Sequence, residues 1–363
     1  MIITLIILAI IMLLIIIFNK RAVPAFLYHQ VNPISNVSPE LFEEHLKVIK
    51  EYKMNTITIS EFYNKEVSTN SILLTFDDGY FDNYKYVFPL LKKYNMKATI
   101  FLNTLYIMDK RETEPEIKDN NTVNLEAMKE YIKSGKATIN QYMSWEEIKE
   151  MYDSSLIDFQ AHSHKHMAMF VDTKIEGLTN KNRMEAPELY LYGELKDNFP
   201  SFPKRGEYTG KAILIKKEFF NIFKEFYEKN IENKITDKNE ILKKCQEFID
   251  ENKEYFSIES EAEYRKRIEE DFSENKKIIE KNLGNEVKFF CWPWGHRSKE
   301  TIKVLKELGV VGFISTKKGT NSMTANWNMI RRIELRNYSV KKFKINLLLA
   351  RNLILGKIYG WIS

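Results

Sequence analysis

Short apolar runs alternate with longer stretches of helical periodicity from residue 23 onward. Runs of this kind predict strands, and strands that alternate with helices predict a parallel sheet with crossover helices. The many repeats favour a closed or partly closed barrel over an open sheet, although the pattern alone allows both. The predicted strands are Val23–Tyr28, Thr56–Ile59, Ile72–Thr75, Ala98–Leu102, Ile157–Ala161, Lys288–Cys291, Val311–Ile314 and Ile330–Leu335.

Two of the intervening helices begin with clear capping signals. Ser38 precedes Pro39, which suits an N-cap followed by proline at the first helical position. Ser144 stands three residues before Glu147, the spacing of a capping box. We therefore expect helices to begin after Ser38 and Ser144.

One long segment breaks the alternation. Residues 167–256 are rich in Lys, Glu and Asn and helical in pattern, with a stripe of aromatic side chains. We interpret this segment as a helical insertion or lid between two barrel strands. Its charges are typical of a solvated surface. Packing within the lid is the simpler explanation for the aromatic stripe, and sugar binding is the alternative. These aromatic residues are Phe219, Phe220, Phe223, Phe226 and Tyr227.

The N-terminus is apolar from Ile2 to Phe18, interrupted only by Thr4. At 1.5 Å per residue such a helix is at the short end for a hydrocarbon core of about 30 Å. No basic residue precedes it and Asn19–Val23 is a poor cleavage site, so an uncleaved anchor at residues 1–21 fits better than a signal peptide. Lys20 and Arg21 would favour a cytoplasmic body by the positive-inside rule.

The C-terminus, residues 341–363, mixes leucine, isoleucine and tryptophan with five basic residues. This pattern predicts an amphipathic helix. It is compatible with a last helix packed on the core, the commoner case, and with a helix lying on a membrane surface.

Composition narrows the function classes. The chain of 363 residues has a net charge of +5, close to balanced, so nothing indicates a nucleic-acid partner. Apolar residues make up 44%, enough for a sizeable core. Two cysteines, Cys245 and Cys291, exclude a disulfide scaffold and a cysteine-rich zinc module.

Three polar motifs follow predicted strands, where parallel folds hold their chemistry. The first is Thr75-Phe76-Asp77-Asp78-Gly79, in which a turn at Gly79 could bring both carboxylates to one pocket. A divalent cation would stabilise this adjacent pair of charges. A simple Asp-Asp-Gly turn is the alternative.

The second motif is His162-Ser163-His164-Lys165-His166. His162 and His166, four residues apart, can chelate one metal ion. Together with Asp78 they would make three ligands and leave coordination positions open, which is the pattern of catalytic zinc. His164 is expected to lie outside this ligand set.

The third motif is Cys291-Trp292-Pro293-Trp294-Gly295-His296. Proline and glycine predict a rigid loop. Trp294 could line a groove and direct its backbone N–H toward an oxyanion; an aromatic-capped turn is the alternative.

Taken in this order, the three motifs resemble the polysaccharide deacetylase family (carbohydrate esterase family 4, the NodB-homology domain). The resemblance covers about residues 23–165 and 258–335, and Tyr28-His29-Gln30-Val31 resembles the subgroup acting on poly-N-acetylglucosamine and related surface glycans. It implies an α/β fold, a distorted (β/α)7 barrel over residues 22–340. It also implies Asp77 as general base and Asp78, His162 and His166 as ligands of a divalent metal, with Zn²⁺ expected. Trp294 would contribute an oxyanion N–H.

Two departures from the family pattern stand out. Many members carry at the position of Cys291 an arginine that orients the catalytic aspartate; Arg331 or Arg332 is our candidate substitute. The family's C-terminal histidine, the general acid, has no equivalent after His296, which leaves His29, His296 or water for that role.

Together with the apolar N-terminus, the resemblance predicts a membrane-anchored deacetylase of an N-acetylated surface polysaccharide. The body of the protein would lie outside the cell, because a surface polysaccharide does. This orientation conflicts with the one that the positive-inside rule favours. The sequence leaves protein partners open. The alternatives are a non-catalytic glycan-binding or assembly protein on a decayed scaffold, and a deacetylase of peptidoglycan, capsule or O-antigen.

Overall fold

The computed structural model describes residues 22–180, 188–189, 193, 197–336 and 339–362. The predicted anchor at residues 1–21 lies outside this part of the chain. Within the described ranges, no helix combines the length and hydropathy that crossing a bilayer requires.

The sheet is built from strands that match all eight predicted runs. In chain order the strands are β1 Ala22–Val23, β2 Ala25–Tyr28, β3 Asn55–Ile57, β4 Ser71–Asp78, β5 Ala98–Asn103, β6 Ile157–Ser163, β7 Ala168–Phe170, β8 Gly177–Leu178, β9 Pro200–Ser201, β10 Lys204–Gly206, β11 Ile213–Ile215, β12 Phe256–Ile258, β13 Phe289–Cys291, β14 Gly312–Ile314, β15 Asn321–Ser322 and β16 Ile333–Glu334.

The helices are α1 Pro39–Glu51, α2 Ile59–Tyr63, α3 Phe88–Tyr94, α4 Asn120–Ser134, α5 Trp145–Asp153, α6 Glu218–Asn230, α7 Lys238–Glu251, α8 Glu261–Leu283, α9 Lys299–Glu307, α10 Val340–Ala350 and α11 Leu353–Trp361. As predicted, Ser38 caps α1 and Ser144 forms a capping box with Glu147 at α5. The stretch predicted as one helix, Phe81–Tyr94, is a π-helical turn at Asn83–Val87 followed by α3.

Seven strands form one parallel sheet in the order β14-β13-β6-β5-β4-β2-β16, and β3 pairs with β4 beside this path. A parallel bridge between Ile314 and Ile330 links the two edge regions. The predicted parallel α/β barrel is thus confirmed.

The alternation of side chains along β4 explains how the core is divided. Ile72, Leu74 and Phe76 pack in the large cluster between sheet and helices, whereas Leu73 belongs to the cluster inside the barrel. Successive strand residues face opposite sides, so Thr75 and Asp77 share the inner face with Leu73. The strand thereby delivers Asp77 to the interior at its carboxyl end.

The insertion differs from the prediction of a helical lid. It contains α6 and α7, but also three antiparallel pairs, β7 with β10, β8 with β9 and β11 with β12. Phe219, Phe223 and Tyr227 are buried in a separate aromatic cluster of this segment. Packing is therefore the role of these three rings, and the short strands were missed because two- and three-residue runs carry little periodicity.

The C-terminal segment forms two helices instead of one. The break falls at Arg351 and Asn352, where the Asn352 side chain accepts hydrogen bonds from the backbone of Ile354 and Leu355 and caps α11. Phe343 of α10 packs on Phe26, with ring centroids 4.8 Å apart, so this helix covers the core.

Candidate metal and catalytic site

The candidate site lies where four neighbouring strands end. Asp78 is the last residue of β4, Asn103 ends β5, His162 is the penultimate residue of β6, and Cys291 ends β13. Because β4, β5, β6 and β13 are adjacent in the sheet, their carboxyl ends meet at one edge. Residues far apart in sequence are thereby brought together.

Asp78, His162 and His166 form a compact group. The Asp78 Oδ1 atom lies 3.4 Å from His162 Nε2 and 3.6 Å from His166 Nε2. One ligand atom of each residue lies within 4.8 Å of the others. Asn103 Nδ2 donates a hydrogen bond of 2.9 Å to Asp78 Oδ1 and fixes the carboxylate.

The backbone at Asp78 explains how this carboxylate leaves the strand's alternation. Asp78 has φ +78° and Gly79 has φ +83°, the left-handed region that favours glycine. A Cβ at Gly79 would lie 2.9 Å from Leu102 Cδ2. Gly79 therefore meets both a conformational and a steric requirement of this turn.

The histidine loop is shaped by its own polar contacts. The backbone N–H of His166, a residue at φ +52°, donates to Ser163 Oγ over 2.8 Å. His162 Nδ1 lies 2.8 Å from the Cys291 carbonyl oxygen. Since a carbonyl can only accept, Nδ1 carries a proton, and Nε2 is the nitrogen left to bind a cation.

The protonation states bear on cation binding. Burial alone would raise the pKa of Asp78, but His162, His166 and His29 lower it well below its usual value. Burial lowers the pKa of His166 to about 4, so this imidazole is neutral at pH 7. Burial also lowers the pKa of His162, but Cys291 and Asp78 raise it well above the usual value. A cation held by these residues would compete with the proton of His162, and its binding would weaken as the pH falls.

Asp77 lies beside this group, close to His162, and is bound by Arg332. Both residues are buried, and Arg332 Nη1 and Nη2 donate to Asp77 Oδ1 and Oδ2 over 2.7 and 2.8 Å. Burial would raise the pKa of Asp77, but the Arg332 charge and hydrogen bonds bring it below its usual value. Of the two candidate arginines, Arg332 makes this contact, and Arg331 donates instead to the Lys318 carbonyl oxygen.

A second group of potential ligands is formed by Asp77, His162 and Cys291. Arg332 Nη2 lies 3.0 Å from Cys291 Sγ and also donates to Asp77. A guanidinium inside the group opposes a second positive charge, so Asp78, His162 and His166 fit a metal cation better.

Trp294 lies at the rim of the site. It has φ +59° within the Pro-Trp-Gly turn and is 42% exposed. Its ring centroid is 5.3 Å from that of His166. On the other side lies Gly206 of β10, where a Cβ would approach Trp294 Cδ1 to 2.9 Å and Pro293 O to 3.2 Å. The insertion thus packs directly against this turn.

The three remaining histidines near the motifs have different surroundings. The charge of His29 acts on Asp77, Asp78 and His166, and its Nδ1 lies 4.0 Å from Glu334 Oε1. His296 Nδ1 accepts a hydrogen bond from the Gly206 backbone. His164 Nδ1 contacts Thr104 Oγ1 at 2.9 Å. Of these three histidines, His29 is the one that acts on the pKa of both carboxylates.

Sequence reasoning missed the polar residues of α8 and the insertion that hold the histidine loop. Asp271 accepts hydrogen bonds from the backbone of His164 and Lys165 and from the Tyr208 hydroxyl. Asn275 donates to the Ser163 carbonyl oxygen. Asp271 and Asn275, four residues apart, interrupt the buried face of α8, and this interruption was the available signal.

Comparison with known proteins places these features in a family. A sequence model of the family described as polysaccharide deacetylase matches residues 64–190 and 230–313. The chain is 28% identical over 183 residues to poly-beta-1,6-N-acetyl-D-glucosamine N-deacetylase of Staphylococcus aureus, covering 49% of this chain and 52% of that protein. It is 38% identical over 104 residues to YxkH of Bacillus subtilis, covering 26% of this chain and 37% of YxkH. The match thus spans about half, or less, of each relative's length.

Solved structures support the fold. A de-N-acetylase from Aggregatibacter actinomycetemcomitans superposes with a TM-score of 0.57 at 16% identity, covering 88% of this chain and 98% of that one. The BpsB deacetylase domain from Bordetella bronchiseptica gives 0.55 at 18% identity, covering 87% and 97%. At these identities the likeness is one of fold. Since the family match covers more than half of the chain, the protein belongs to the polysaccharide deacetylase family.

Proposed function

We propose that the protein is a metal-dependent hydrolase that removes N-acetyl groups from a cell-surface polysaccharide. The observation that carries this proposal is that a possible metal site and an ionised carboxylate lie together at one edge of the sheet. Asp78, His162 and His166 form a three-ligand group, and the ionised Asp77, the residue before Asp78, lies close to His162 and is held by Arg332. The family and the named activity of the Staphylococcus aureus relatives support it.

The donor set fits a divalent cation, with Zn²⁺ as the expected ion. Two imidazoles and one carboxylate are ligands typical of catalytic zinc, and three ligands leave positions open. A cation bound there would polarise the acetamide carbonyl and lower the pKa of a bound water. His162 would be oriented by its bond to Cys291 O and Asp78 by Asn103.

The chain's own residues supply the proton transfers. Asp77 is ionised at neutral pH, because Arg332 lowers its pKa, and its carboxylate would accept the proton of the attacking water. The Trp294 backbone N–H would donate to the oxyanion. His29 would protonate the leaving amine, and the products would be acetate and a glucosamine-type amine.

The substrate we propose is a poly-N-acetylglucosamine-type glycan, because the Staphylococcus aureus relatives are named for poly-beta-1,6-N-acetyl-D-glucosamine. Such a substrate lies outside the cell. We therefore propose a membrane location, with residues 1–21 as a single anchor and the barrel outside.

Acetate release by the full-length protein in detergent, supplied with Zn²⁺, tests this proposal. We expect release from β-1,6-linked N-acetylglucosamine oligomers, its loss on chelation, and a decrease of about 10²–10⁴-fold in Asp77→Asn. Asp250→Asn, at an exposed aspartate of α7, is the matched control and should retain full activity. Full activity in folded Asp77→Asn would contradict the assigned role.

The alternative of a non-catalytic glycan-binding protein on a decayed scaffold rests on three features: the absence of the family arginine at Cys291, the absence of a C-terminal histidine and the large insertion. The first of these is weakened, because Arg332 contacts Asp77 in the manner expected of that arginine. Glycan binding without acetate release from β-1,6- and β-1,4-linked oligomers would favour that alternative.

A further inference from the structure

Exposed apolar side chains are concentrated in one segment of the described chain. Among residues 22–180, 188–189, 193, 197–336 and 339–362, twelve large apolar side chains are exposed, and six of them belong to the last two helices and the residue after them. These six are Ile345, Leu348, Ile354, Ile358, Trp361 and Ile362. Scattered exposed residues need no explanation, but a concentrated group indicates an interaction surface.

The inward faces of these helices are already occupied. Phe343 of α10 stacks on His45, with centroids 4.2 Å apart. On α11, a Cβ at Gly356 would lie 2.4 Å from Thr320 Cγ2, and one at Gly360 would lie 2.5 Å from the Lys318 carbonyl oxygen. Both helices are therefore pressed against the barrel wall, and the exposed residues lie on other faces.

The exposed residues follow helical spacing. Ile354, Ile358 and Trp361 stand at i, i+4 and i+7 along α11, which places them on one stripe. Trp361, at the end of the stripe, is 85% exposed. An indole in this position suits a membrane interface, where Trp is enriched because its ring is apolar and its N–H is polar.

The charged residues of this segment are all basic, although one of them, Lys344, is paired with Glu51 of α1 over 2.8 Å. Residues 341–363 contain five basic side chains and no acidic one, so they carry the whole net charge of +5 and residues 1–340 sum to zero. The five are Lys341, Lys342, Lys344, Arg351 and Lys357. Apolar stripes flanked by lysine and arginine are complementary to an anionic lipid surface.

The same surface lies close to the point where the described chain begins. Ala22 and Val23 pair with Ser322 and Asn321 of β15. Thr320, the residue before β15, donates to the Ala350 carbonyl oxygen at the end of α10. The strand that follows residues 1–21 is thus one strand away from the α10–α11 junction.

We propose that α10 and α11 form a docking surface for an anionic lipid bilayer, with the exposed stripes at the headgroup boundary. This surface is independent of the deacetylase chemistry and distinct from the proposed anchor. Two separate attachments, this surface and the proposed anchor, would hold the barrel against the membrane in one orientation.

A fluorescent reporter on α11 tests the proposal in the full-length protein. In one variant, Ile358→Cys, the new cysteine on α11 carries an environment-sensitive NBD label. The matched control carries the same label at Ile258→Cys on β12, where the native side chain is 70% exposed. Native Cys245 and Cys291 are buried and need no replacement. Both proteins are reconstituted in phosphatidylcholine vesicles with or without about 30% phosphatidylglycerol.

We expect a blue shift at position 358, with quenching by nitroxide-labelled lipid, only in the vesicles containing phosphatidylglycerol, and no shift at position 258. Reversing Lys341 and Lys357 to glutamate should weaken the effect about 30-fold or more, since each basic residue strengthens adsorption about fivefold. Water-like emission at position 358 in both vesicle types would overturn the proposal. An equal shift in phosphatidylcholine alone would overturn its electrostatic part. A concentration-dependent shift in lipid-free protein would assign the surface to a second copy of the chain.

Discussion

Replacing Arg332 with methionine would leave the Asp77 carboxylate buried without its countercharge. The guanidinium makes two hydrogen bonds of 2.7 and 2.8 Å to Asp77, one of 3.0 Å to the Ser315 carbonyl oxygen and one of 3.1 Å to Thr75 Oγ1. Breaking a buried ion pair from one side costs about 3–5 kcal/mol. Typical domains have a free energy of unfolding of about 5–15 kcal/mol, so Arg332→Met should be folded but strongly destabilised.

The double variant Arg332→Met/Asp77→Asn separates the charge from the packing. Because it removes both charges, it should be more stable than Arg332→Met alone. Urea unfolding of the two single variants and the double variant gives the coupling energy, which we expect to be at least about 2 kcal/mol. If the two single substitutions change the free energy of unfolding by amounts that add to within about 0.5 kcal/mol in the double variant, Asp77 and Arg332 do not form the ion pair described.

The pH dependence supplies a second test of the same contact. In the native protein the pKa of Asp77 is lowered, so the pair's stabilisation is present above the unfolded value of about 3.9 and is lost as the pH falls through the lower native pKa. In Arg332→Met, burial would raise the pKa of Asp77. The stability difference between the two proteins should therefore shrink toward acidic pH, and the acid limb of acetate release should move to higher pH. A constant difference from pH 3 to pH 8 would contradict this account.

Three further predictions concern the surroundings of the site. Asp271→Asn should weaken Zn²⁺ affinity about 10–100-fold, measured by competition with a chelator, because Asp271 holds the backbone of the histidine loop; unchanged affinity would refute this. Burial and the neighbouring Asp271 raise the pKa of Glu207 to about 8, so the native state retains a proton that the unfolded chain loses near pH 4.3. Stability should therefore fall between about pH 4 and pH 8, and Glu207→Gln should flatten this dependence in urea unfolding. Gly206→Ala should displace the Trp294 ring and alter the near-UV circular dichroism, whereas Gly210→Ala, with open space at its Cβ, should not.

Strand periodicity was enough to predict the barrel and the edge that holds the site. Buried parallel strands are apolar throughout, so their runs stand out, and polar residues at their carboxyl ends gather at one edge. The same rule, applied to the end of β5, would have included Asn103. Strand alternation also distinguishes Arg332 from Arg331. Ile333 and Leu335 pack on the outer face of the sheet, so Arg332 faces the interior of the barrel.

Other features depended on contacts that sequence spacing does not encode. The backbone N–H of Met167 donates to Glu207, and His164 is held by Asp271, more than a hundred residues further along the chain. The strands of the insertion have two or three residues, too few for a period to emerge. The division of the C-terminal segment, by contrast, had a local cause in the capping residue Asn352.

The contact between β10 and the Pro-Trp-Gly turn limits how the insertion can behave. Gly206 is fastened to His296 by a hydrogen bond of 2.9 Å and leaves no room for a side chain beside Trp294. A segment seated in this way cannot swing open while the turn stays in place. Strand β10 is therefore a fixed wall beside the candidate site, and under the proposed function we expect the shape of this wall, rather than a moving lid, to influence which glycan is accepted.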